Sequence, residues 1–451
     1  MVTVTSPHAN TAPSNARRYQ WRTANIDWWP WLVALSALMF TQLSQTKAVV
    51  VFVGFAIVCG LIRPDQVFSA ATASRLFWPF LLFAAASIIW SQDRSHTARA
   101  VAELGFTVAS AALVARALSP KSFVSLVAGT CLIGTVASVL FLGPELIREL
   151  TTGYPVRGIF LGSKNSFGAV QALLILAGIW MALDRKREAI RRLFALLCVG
   201  CGAVLLVASK SATAVGSLVP ALVCSLAVFS VGRITPRGRA ILLIATFLLT
   251  TAAIVALISI DSSLYMQFLE VSGRDTSLTG RTTLWLWADR MIANNPILGV
   301  GYEAFWIQGN PYAEELWRLF AIRWRSGFHF HNQWYQIAVE LGYTGLAIAL
   351  ATFVATCLRV ASWAVRRPSP ESCFFLGFVV MAAVRTYVEV DLFLQFALGF
   401  IILIVGHIHA SKYRDGLKSP PRQWRGRRLS PGLFRRQPPR QANSTANILG
   451  A

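Results

Sequence analysis

Long apolar runs separated by short polar connections dominate the sequence. A helix needs ~20 apolar residues to cross the hydrocarbon core of a bilayer, so the pattern predicts twelve membrane spans, with ten or eleven as alternative counts. The fold class predicted is an all-α polytopic integral membrane protein. The predicted spans cover residues 28–43, 48–62, 76–91, 98–118, 121–143, 166–183, 189–208, 211–231, 239–260, 334–358, 371–388 and 390–407.

One connection, residues 261–333, is much longer than the others. Long connections are usually functional or disordered, and five tryptophans in this one (Trp285, Trp287, Trp306, Trp317 and Trp324) favour a folded element. Apolar residues at helical spacing follow Thr282 and Thr283, and Asn294-Asn295-Pro296 ends the run. The pattern predicts an amphipathic helix on the outer membrane surface, with a plain lid helix as the alternative. Its apolar residues are Leu284, Trp287, Ala288, Met291 and Ile292.

Composition and charge support a membrane protein with a defined orientation. The chain is 55% hydrophobic and only 14% charged, against about 25% charged in soluble domains. A net charge of +22 would suggest nucleic acid in a soluble protein, but 28 of the 42 Lys and Arg residues fall on one side of the predicted spans. Cytoplasmic loops collect these residues, so both termini are expected in the cytoplasm, and no nucleic-acid partner is expected.

The predicted organisation has five parts. A cytoplasmic tail (1–27) precedes spans one to nine (28–260), which are followed by the periplasmic loop (261–333) as the catalytic element. Spans ten to twelve (334–407) lead into a basic, disordered cytoplasmic tail (408–451).

Cysteines and nucleotide motifs give no sign of a cofactor. Cys198 and Cys201 have the spacing of a zinc or redox motif, but they lie in a predicted span without a second pair or a flanking histidine. We interpret them as packing residues. The sequence contains no Walker motif, dinucleotide fingerprint or metal-binding histidine pair, so neither a metal nor another cofactor is expected.

Two histidines, His329 and His331, stand directly before the predicted span 334–358. An imidazole suits proton transfer because its pKa is near neutrality; the alternative is an interfacial polar residue that caps the helix. Glu340 falls inside the same span, where a structural hydrogen bond is expected. Arg385, Glu389 and Asp391, at the turn between the last two spans, are interpreted as a local ion-pair cluster.

The segment from Gly280 to Phe305, with HNQWYQIAVELGYTGL from His331 and RGIFLGSKNSFG from Arg157, resembles the O-antigen ligase and polymerase superfamily. The SKSAT stretch from Ser209 is most similar to exopolysaccharide polymerases of the ExoQ type. Many superfamily members have arginine where this chain has Lys210, which keeps the charge but loses the planar guanidinium fork.

The resemblance implies a GT-C-like enzyme of the bacterial inner membrane. It implies metal-independent glycan transfer from a polyprenyl-diphosphate-linked oligosaccharide to a hydroxyl of an acceptor glycan at the periplasmic face. A chain-length-regulating co-polymerase is a possible partner besides the lipid bilayer. The alternatives are an O-antigen ligase that uses a lipid core as acceptor and, in another class, a flippase for lipid-linked oligosaccharides. The implied catalytic residues are His331 and Arg281, and the implied diphosphate- or substrate-binding residues are Arg157, Lys164, Asn165, Lys210, Arg290 and Asn332.

Overall fold

The structure is a computed structural model. It describes residues 64–141, 143–152, 154–158, 163–231, 234–260, 277–325 and 328–418, together with positions 54, 57 and 61. The predicted tail 1–27, the predicted span 28–43 and nearly all of the predicted span 48–62 lie outside the described residues. So do residues 261–276 of the long loop and residues 419–451 of the C-terminal tail.

All regular structure in the described part of the chain is helical. Fourteen α-helices lie within the described residues, and short 3₁₀ helices at Arg75–Phe77 and Ser87–Ile89 flank the second of them. The helices are α1 Pro64–Ala73, α2 Trp78–Ala86, α3 Arg94–Ala117, α4 Pro120–Phe141, α5 Gly143–Thr152, α6 Lys164–Leu183, α7 Ala189–Ser209, α8 Ala212–Ser230, α9 Pro236–Ile260, α10 Ser277–Asn294, α11 Pro311–Leu319, α12 Gln333–Arg366, α13 Pro370–Arg385 and α14 Leu398–Lys418.

Among the described residues, six helices are long and apolar enough to cross a membrane: α3, α4, α6, α7, α8 and α12. The segments Arg75–Ile89 and Leu398–Tyr413 are shorter apolar helices. An all-helical, polytopic membrane protein is therefore confirmed. The total of twelve spans stays a prediction.

The last predicted span differs from the structure at both ends. It was expected at 390–407, whereas α14 begins at Leu398 and continues to Lys418, so the predicted disordered tail is wrong over residues 408–418. Residues 386–397 instead form a folded turn, in which Leu392 N donates to Gln333 Oε1 (2.8 Å) and Phe396 N to Thr107 Oγ1 (2.9 Å). Side chains thus satisfy backbone groups that a helix would otherwise pair.

Helix α13 occupies the centre of the bundle. It packs against α4, α6, α8, α12 and α14, and consecutive residues from Ser372 to Ala382 are buried, as expected for a helix that is apolar all round. A small residue permits the closest approach, because a Cβ on Gly377 would lie 2.8 Å from Leu176 Cδ1. Close backbone approach at small residues is the usual way that membrane helices associate.

The apolar side of α10 faces protein. Leu284, Ala288, Met291 and Ile292 are buried in one cluster with residues that include Phe305, Trp317, Phe330 and Val339. The expected helix is confirmed, but it begins at Ser277 rather than after Thr282, and its apolar stripe is not available to a membrane surface. The residues that bury this face come mainly from α11 and from the segments flanking it. Helical periodicity within α10 cannot identify them.

A break at Gly342 divides α12 and joins it to the long loop. Gly342 has φ 64° and ψ −172°, a conformation open to glycine. The loop residues pair with the backbone groups exposed by this break: Tyr343 N donates to Pro296 O (2.7 Å), and Gly301 N donates to Glu340 O (2.8 Å). Asn295-Pro296, Gly299-Val300-Gly301 and Glu340-Leu341-Gly342 thus form one structural unit.

We predict that Gly342→Ala severely destabilises the protein. The new Cβ would lie 2.3 Å from the carbonyl carbon and oxygen of Ile297, at a left-handed φ, and left-handed backbone alone costs a non-glycine residue about 1–3 kcal/mol. Thermal unfolding of the purified protein in detergent provides the measurement. The control is Gly216→Ala in α8, where the added Cβ meets nothing within 4 Å; equal melting temperatures for the two variants would contradict the prediction.

Candidate active site around Glu389

The carboxylate of Glu389, in the turn between α13 and α14, is the centre of a buried polar cluster. Its side chain is 8% exposed. Oε1 accepts hydrogen bonds from Arg281 Nη2 (2.9 Å) and Asn165 Nδ2 (2.8 Å). Oε2 lies 3.5 Å from His331 Nδ1. Residues 165, 281, 331 and 389 come from four separate segments of the chain, so the cluster exists only in the folded protein.

The short connection between α7 and α8 joins the same cluster. Ser211 Oγ donates to Asn165 Oδ1 (3.0 Å), and Gly168 allows this contact because a Cβ there would lie 2.7 Å from Ser211 Cβ. Lys164 precedes Asn165 in the chain, and Lys210 precedes Ser211. Both lysines, which were predicted to bind substrate, are therefore next in sequence to residues of the cluster. Lys210 has a left-handed φ of 49° at the end of α7.

Arg157 is placed near this connection by its backbone neighbour. Val156 N donates to Ala208 O (3.0 Å), and Val156 packs with Phe167 and Leu205. The side chain of Arg157 is exposed. The segment before α6 and the end of α7 therefore lie together on the same side of the bundle as Glu389, as the predicted topology requires.

The backbone of Phe330, which directly precedes His331, is fixed by two hydrogen bonds. Phe330 N donates to Gln336 Oε1 (3.2 Å), and Phe330 O accepts from Trp285 Nε1 (3.0 Å). His331 itself has a left-handed φ of 51°, and its N–H donates to His329 Nδ1 (3.1 Å). Unfavourable backbone conformations of this kind cluster at functional sites. The His331 side chain remains 27% exposed, so a ligand can reach it.

Asn332 caps the helix that follows His331, and the substrate-binding role expected of it stays a prediction. Its Oδ1 accepts from the backbone N–H of Trp334 (2.9 Å) and Tyr335 (3.2 Å), and its Nδ2 donates to Tyr387 O (3.2 Å). Both acceptor lone pairs of the amide are therefore used in capping α12. Asn332 fixes the start of the helix that follows His331.

Arg290 does not take part in the contacts around Glu389. Its guanidinium stacks over the ring of Trp287, 5.6 Å from the centroid, and the side chain is exposed. It lies nine positions after Arg281 on the same helix, about 14 Å and two and a half turns away, and therefore on the opposite face. The expected contribution of Arg290 to the site stays a prediction.

Two buried arginines in the cluster have donors without acceptors. Arg281 is 5% exposed and Arg385 is 4% exposed. Arg281 Nε and Arg385 Nη1 have no hydrogen-bond partner among the described residues, although Arg385 Nε pairs with Asp391 Oδ2 at 2.5 Å. A buried donor left unsatisfied costs about 1–3 kcal/mol. The site therefore presents cationic donors that an anionic ligand could satisfy.

Charges around Glu389 keep it ionised. Burial by itself raises the pKa of this carboxyl, but the neighbouring His331 and the positive charge of Arg385 outweigh that effect, and the pKa falls to about 2. Burial and the neighbouring His331 lower the pKa of His329 to about 3. At neutral pH the cluster thus contains a carboxylate and a neutral His329.

His329, His331 and Glu389 each offer a ligand atom within 4.8 Å of the other two, so their spacing alone would suit a metal ion. The hydrogen bonding favours another use. His329 Nδ1 accepts from His331 N–H, so the neutral ring carries its proton on Nε2 and has no lone pair left for an ion. Arg281 already supplies positive charge to the carboxylate at 2.9 Å.

Glu340 supports the site from within α12. Its Oε1 accepts from Gln336 Nε2 (2.6 Å), and Gln336 Oε1 accepts from both Phe330 N and Trp306 Nε1 (3.2 Å each). The expected structural hydrogen bond of Glu340 is confirmed. It orients Gln336, which in turn holds the backbone before His331.

The sequence analysis did not include Glu389, Arg385 or His329 among the candidate site residues. The ion pair of Arg385 with Asp391 agrees with the local cluster that was expected, but Glu389 instead pairs with Arg281, 108 residues away. The sequence did contain a feature that could have pointed to Arg385 and Glu389. Ionisable side chains at the ends of apolar segments are costly and usually functional, and Arg385 and Glu389 both meet that description.

Part of the chain is similar to a known protein family. Residues 197–350 match the family described as O-antigen ligase, and this range includes Lys210, Arg281 and His331. Part of this polytopic membrane protein is thus similar to the O-antigen ligase family, which confirms the resemblance seen in the sequence. The chain is also 28% identical over 392 residues to the exopolysaccharide production protein ExoQ of Rhizobium meliloti (strain 1021), covering 82% of this chain and 85% of the relative. Together they indicate a membrane enzyme of the polysaccharide polymerase or ligase type.

We predict that Glu303→Gln stabilises the protein selectively at alkaline pH. Burial and the nearby Glu103 raise the pKa of Glu303 to about 7. The folded state therefore binds this proton more tightly than the unfolded chain. The resulting stability is complete below about pH 4.5 and is lost as pH rises through 7. The uncharged variant avoids that loss, which amounts to about 1–3 kcal/mol.

Thermal unfolding at pH 5 and pH 8.5 tests this prediction. The variant should melt close to the wild type at pH 5 and above it at pH 8.5. Glu315→Gln is the matched control because Glu315 is an exposed carboxylate of the same loop. A pH-independent difference, or the same gain in the control, would contradict the assigned proton.

Proposed function

We propose that this protein transfers a glycan from a polyprenyl-diphosphate carrier to a hydroxyl group of an acceptor sugar at the periplasmic face of the bacterial inner membrane. The observation that carries the proposal is the contact between an accessible imidazole, His331, and a carboxylate that also binds the buried Arg281. This arrangement places a candidate base beside a candidate anion-binding group. It agrees with the chemistry expected of the O-antigen ligase family.

The arginines are suited to the leaving group. When the bond between the sugar C1 and the diphosphate oxygen breaks, its electron pair leaves with the diphosphate, and preorganised cations stabilise that charge. Arg281 Nε and Arg385 Nη1 are buried donors that lack acceptors among the described residues, and guanidinium groups bind phosphate oxygens in pairs. Lys164, Lys210 and Arg157 add positive charge from the segments around α6 and α7.

His331 is suited to the acceptor. Glu389 Oε2 faces Nδ1, which favours the tautomer that carries its proton on Nδ1 and leaves Nε2 as the base. Nε2 takes the proton of the acceptor hydroxyl while the hydroxyl oxygen forms its bond to C1. The resulting imidazolium is stabilised by the Glu389 carboxylate, as a carboxylate stabilises histidine in hydrolytic triads. The products are the extended glycan and the free polyprenyl diphosphate.

The acceptor is proposed to be a second polysaccharide chain, which makes the enzyme a polymerase. The relative is an exopolysaccharide production protein, which supports this acceptor over a lipid core. The carrier already holds the activation in its diphosphate linkage, so the reaction needs no nucleotide sugar at this face.

Purified protein incubated with a polyprenyl-diphosphate oligosaccharide, and with no other energy source, should produce longer glycans. Arg281→Ala should lower the rate by about 100-fold or more, the usual effect of removing one transition-state donor, while the protein still folds and inserts in the membrane. Arg323→Ala, at an exposed position of the same loop, is the control and should keep the wild-type rate. A near-normal rate for Arg281→Ala would remove this residue from the site, and no glycan product from the wild type would reject the function.

Metal removal separates the proposed mechanism from a metal-dependent one. Because Arg281 and Arg385 supply the positive charge, EDTA should leave the rate of glycan transfer unchanged, measured in the same assay. If EDTA abolished transfer and a divalent ion restored it, the cluster of His329, His331 and Glu389 would have to hold an ion, and the role of His331 as base would be wrong.

A further inference from the structure

A cavity of about 370 Å³ opens between α12 and α14, at the end of the bundle opposite Glu389. Its lining includes Leu358, Arg359, Ser362, Trp363, Arg366 and Tyr413. After the break at Gly342, α12 runs from Tyr343 to Arg366, about 36 Å, which exceeds the ~30 Å hydrocarbon core of a bilayer. The cavity therefore lies where α12 leaves the membrane, far from the candidate active site.

The lining changes from apolar to basic along the helix. Leu358 is 66% exposed on the side nearer the membrane centre. Arg359 and Arg366 are seven residues apart, two turns on the same face of α12. Trp363 and Tyr413 supply the aromatic side chains that are enriched at the boundary between lipid and water. This order matches a lipid, with apolar chains toward the membrane centre and a headgroup at the surface.

Side chains of α14 contact two of the basic residues at this end. Arg359 Nη1 lies 3.0 Å from both His407 Nε2 and Ser411 Oγ. The guanidinium of Arg367 stacks over the Tyr413 ring at 5.0 Å. Within the described part of the chain, no Asp or Glu forms an ion pair with Arg366 or Arg367. The site therefore carries a positive charge that an anionic headgroup can complement.

We propose that this cavity binds the phosphate headgroup of an anionic phospholipid from the leaflet opposite the candidate active site. Arg359 and Arg366 contact the phosphate, Ser362 and Tyr413 donate hydroxyl hydrogen bonds, and an acyl chain lies against Leu358. The site is independent of the proposed glycan transfer.

Native mass spectrometry of the full chain, released from membranes and supplied with phosphatidylglycerol or phosphatidylcholine, tests the proposal. The wild type should retain phosphatidylglycerol in preference to phosphatidylcholine. Arg366→Ala should lower its retention about fivefold, since one basic residue near an anionic headgroup contributes ~1 kcal/mol. Ser362→Trp fills the cavity without changing the charge and should lower retention as well.

Arg237→Ala is the matched control, because Arg237 is an exposed arginine at the N-terminus of α9 that does not line the cavity. An equal loss in this control would show attraction to general surface charge and overturn the proposal. Equal retention of phosphatidylcholine, or unchanged retention in both cavity variants, would also overturn it. Displacement of the lipid by excess inorganic phosphate would identify a site for free phosphate instead.

Discussion

A single buried carboxylate, that of Glu389, links four separate segments of this protein. A charge away from water is tolerated only if it is paired and hydrogen-bonded, and Glu389 obtains its partners from α6, α10 and the residue before the N-cap of α12. Removing any partner would leave the others with unmet polar groups. The same requirement that stabilises the cluster therefore also brings an arginine and an imidazole, which reside far apart in sequence, to one carboxylate.

The long loop is built on a second constraint, the interrupted backbone at Gly342. A helix break inside a membrane-facing segment exposes amide and carbonyl groups, and such groups are tolerated only where protein covers them. Residues 296–301 provide that cover through four backbone hydrogen bonds to residues 339, 340, 343 and 344. The loop is consequently anchored to α12 at residues 339–344, a few residues after Gln336. The fold couples the loop that carries Arg281 to the helix that follows the candidate base.

Periodicity and composition were sufficient for the helices but not for the site. The apolar runs predicted α3, α4, α6, α7 and α8 to within about four residues, because a membrane-spanning helix must be long and apolar. The apolar face of α10 was also recognised, yet its partner was misidentified, since periodicity shows that a face is buried and not what buries it. Residues 390–397 were assigned to the last span, whereas side chains of Thr107 and Gln333 hold this segment in a turn. Contacts between residues so far apart in the sequence depend on how the helices pack, which periodicity does not show.

On the proposed function, the sharing of Glu389 explains why a cation and a base belong together. In the structure Glu389 Oε1 accepts from Arg281 while Oε2 faces His331. A diphosphate that binds Arg281 competes with Glu389 for that guanidinium, and it weakens an interaction that draws the carboxylate's charge away from His331. Less neutralisation of the carboxylate raises the affinity of His331 for a proton, because an adjacent negative charge favours the imidazolium. Binding of the donor would thereby strengthen the base only when a glycan is present to be transferred.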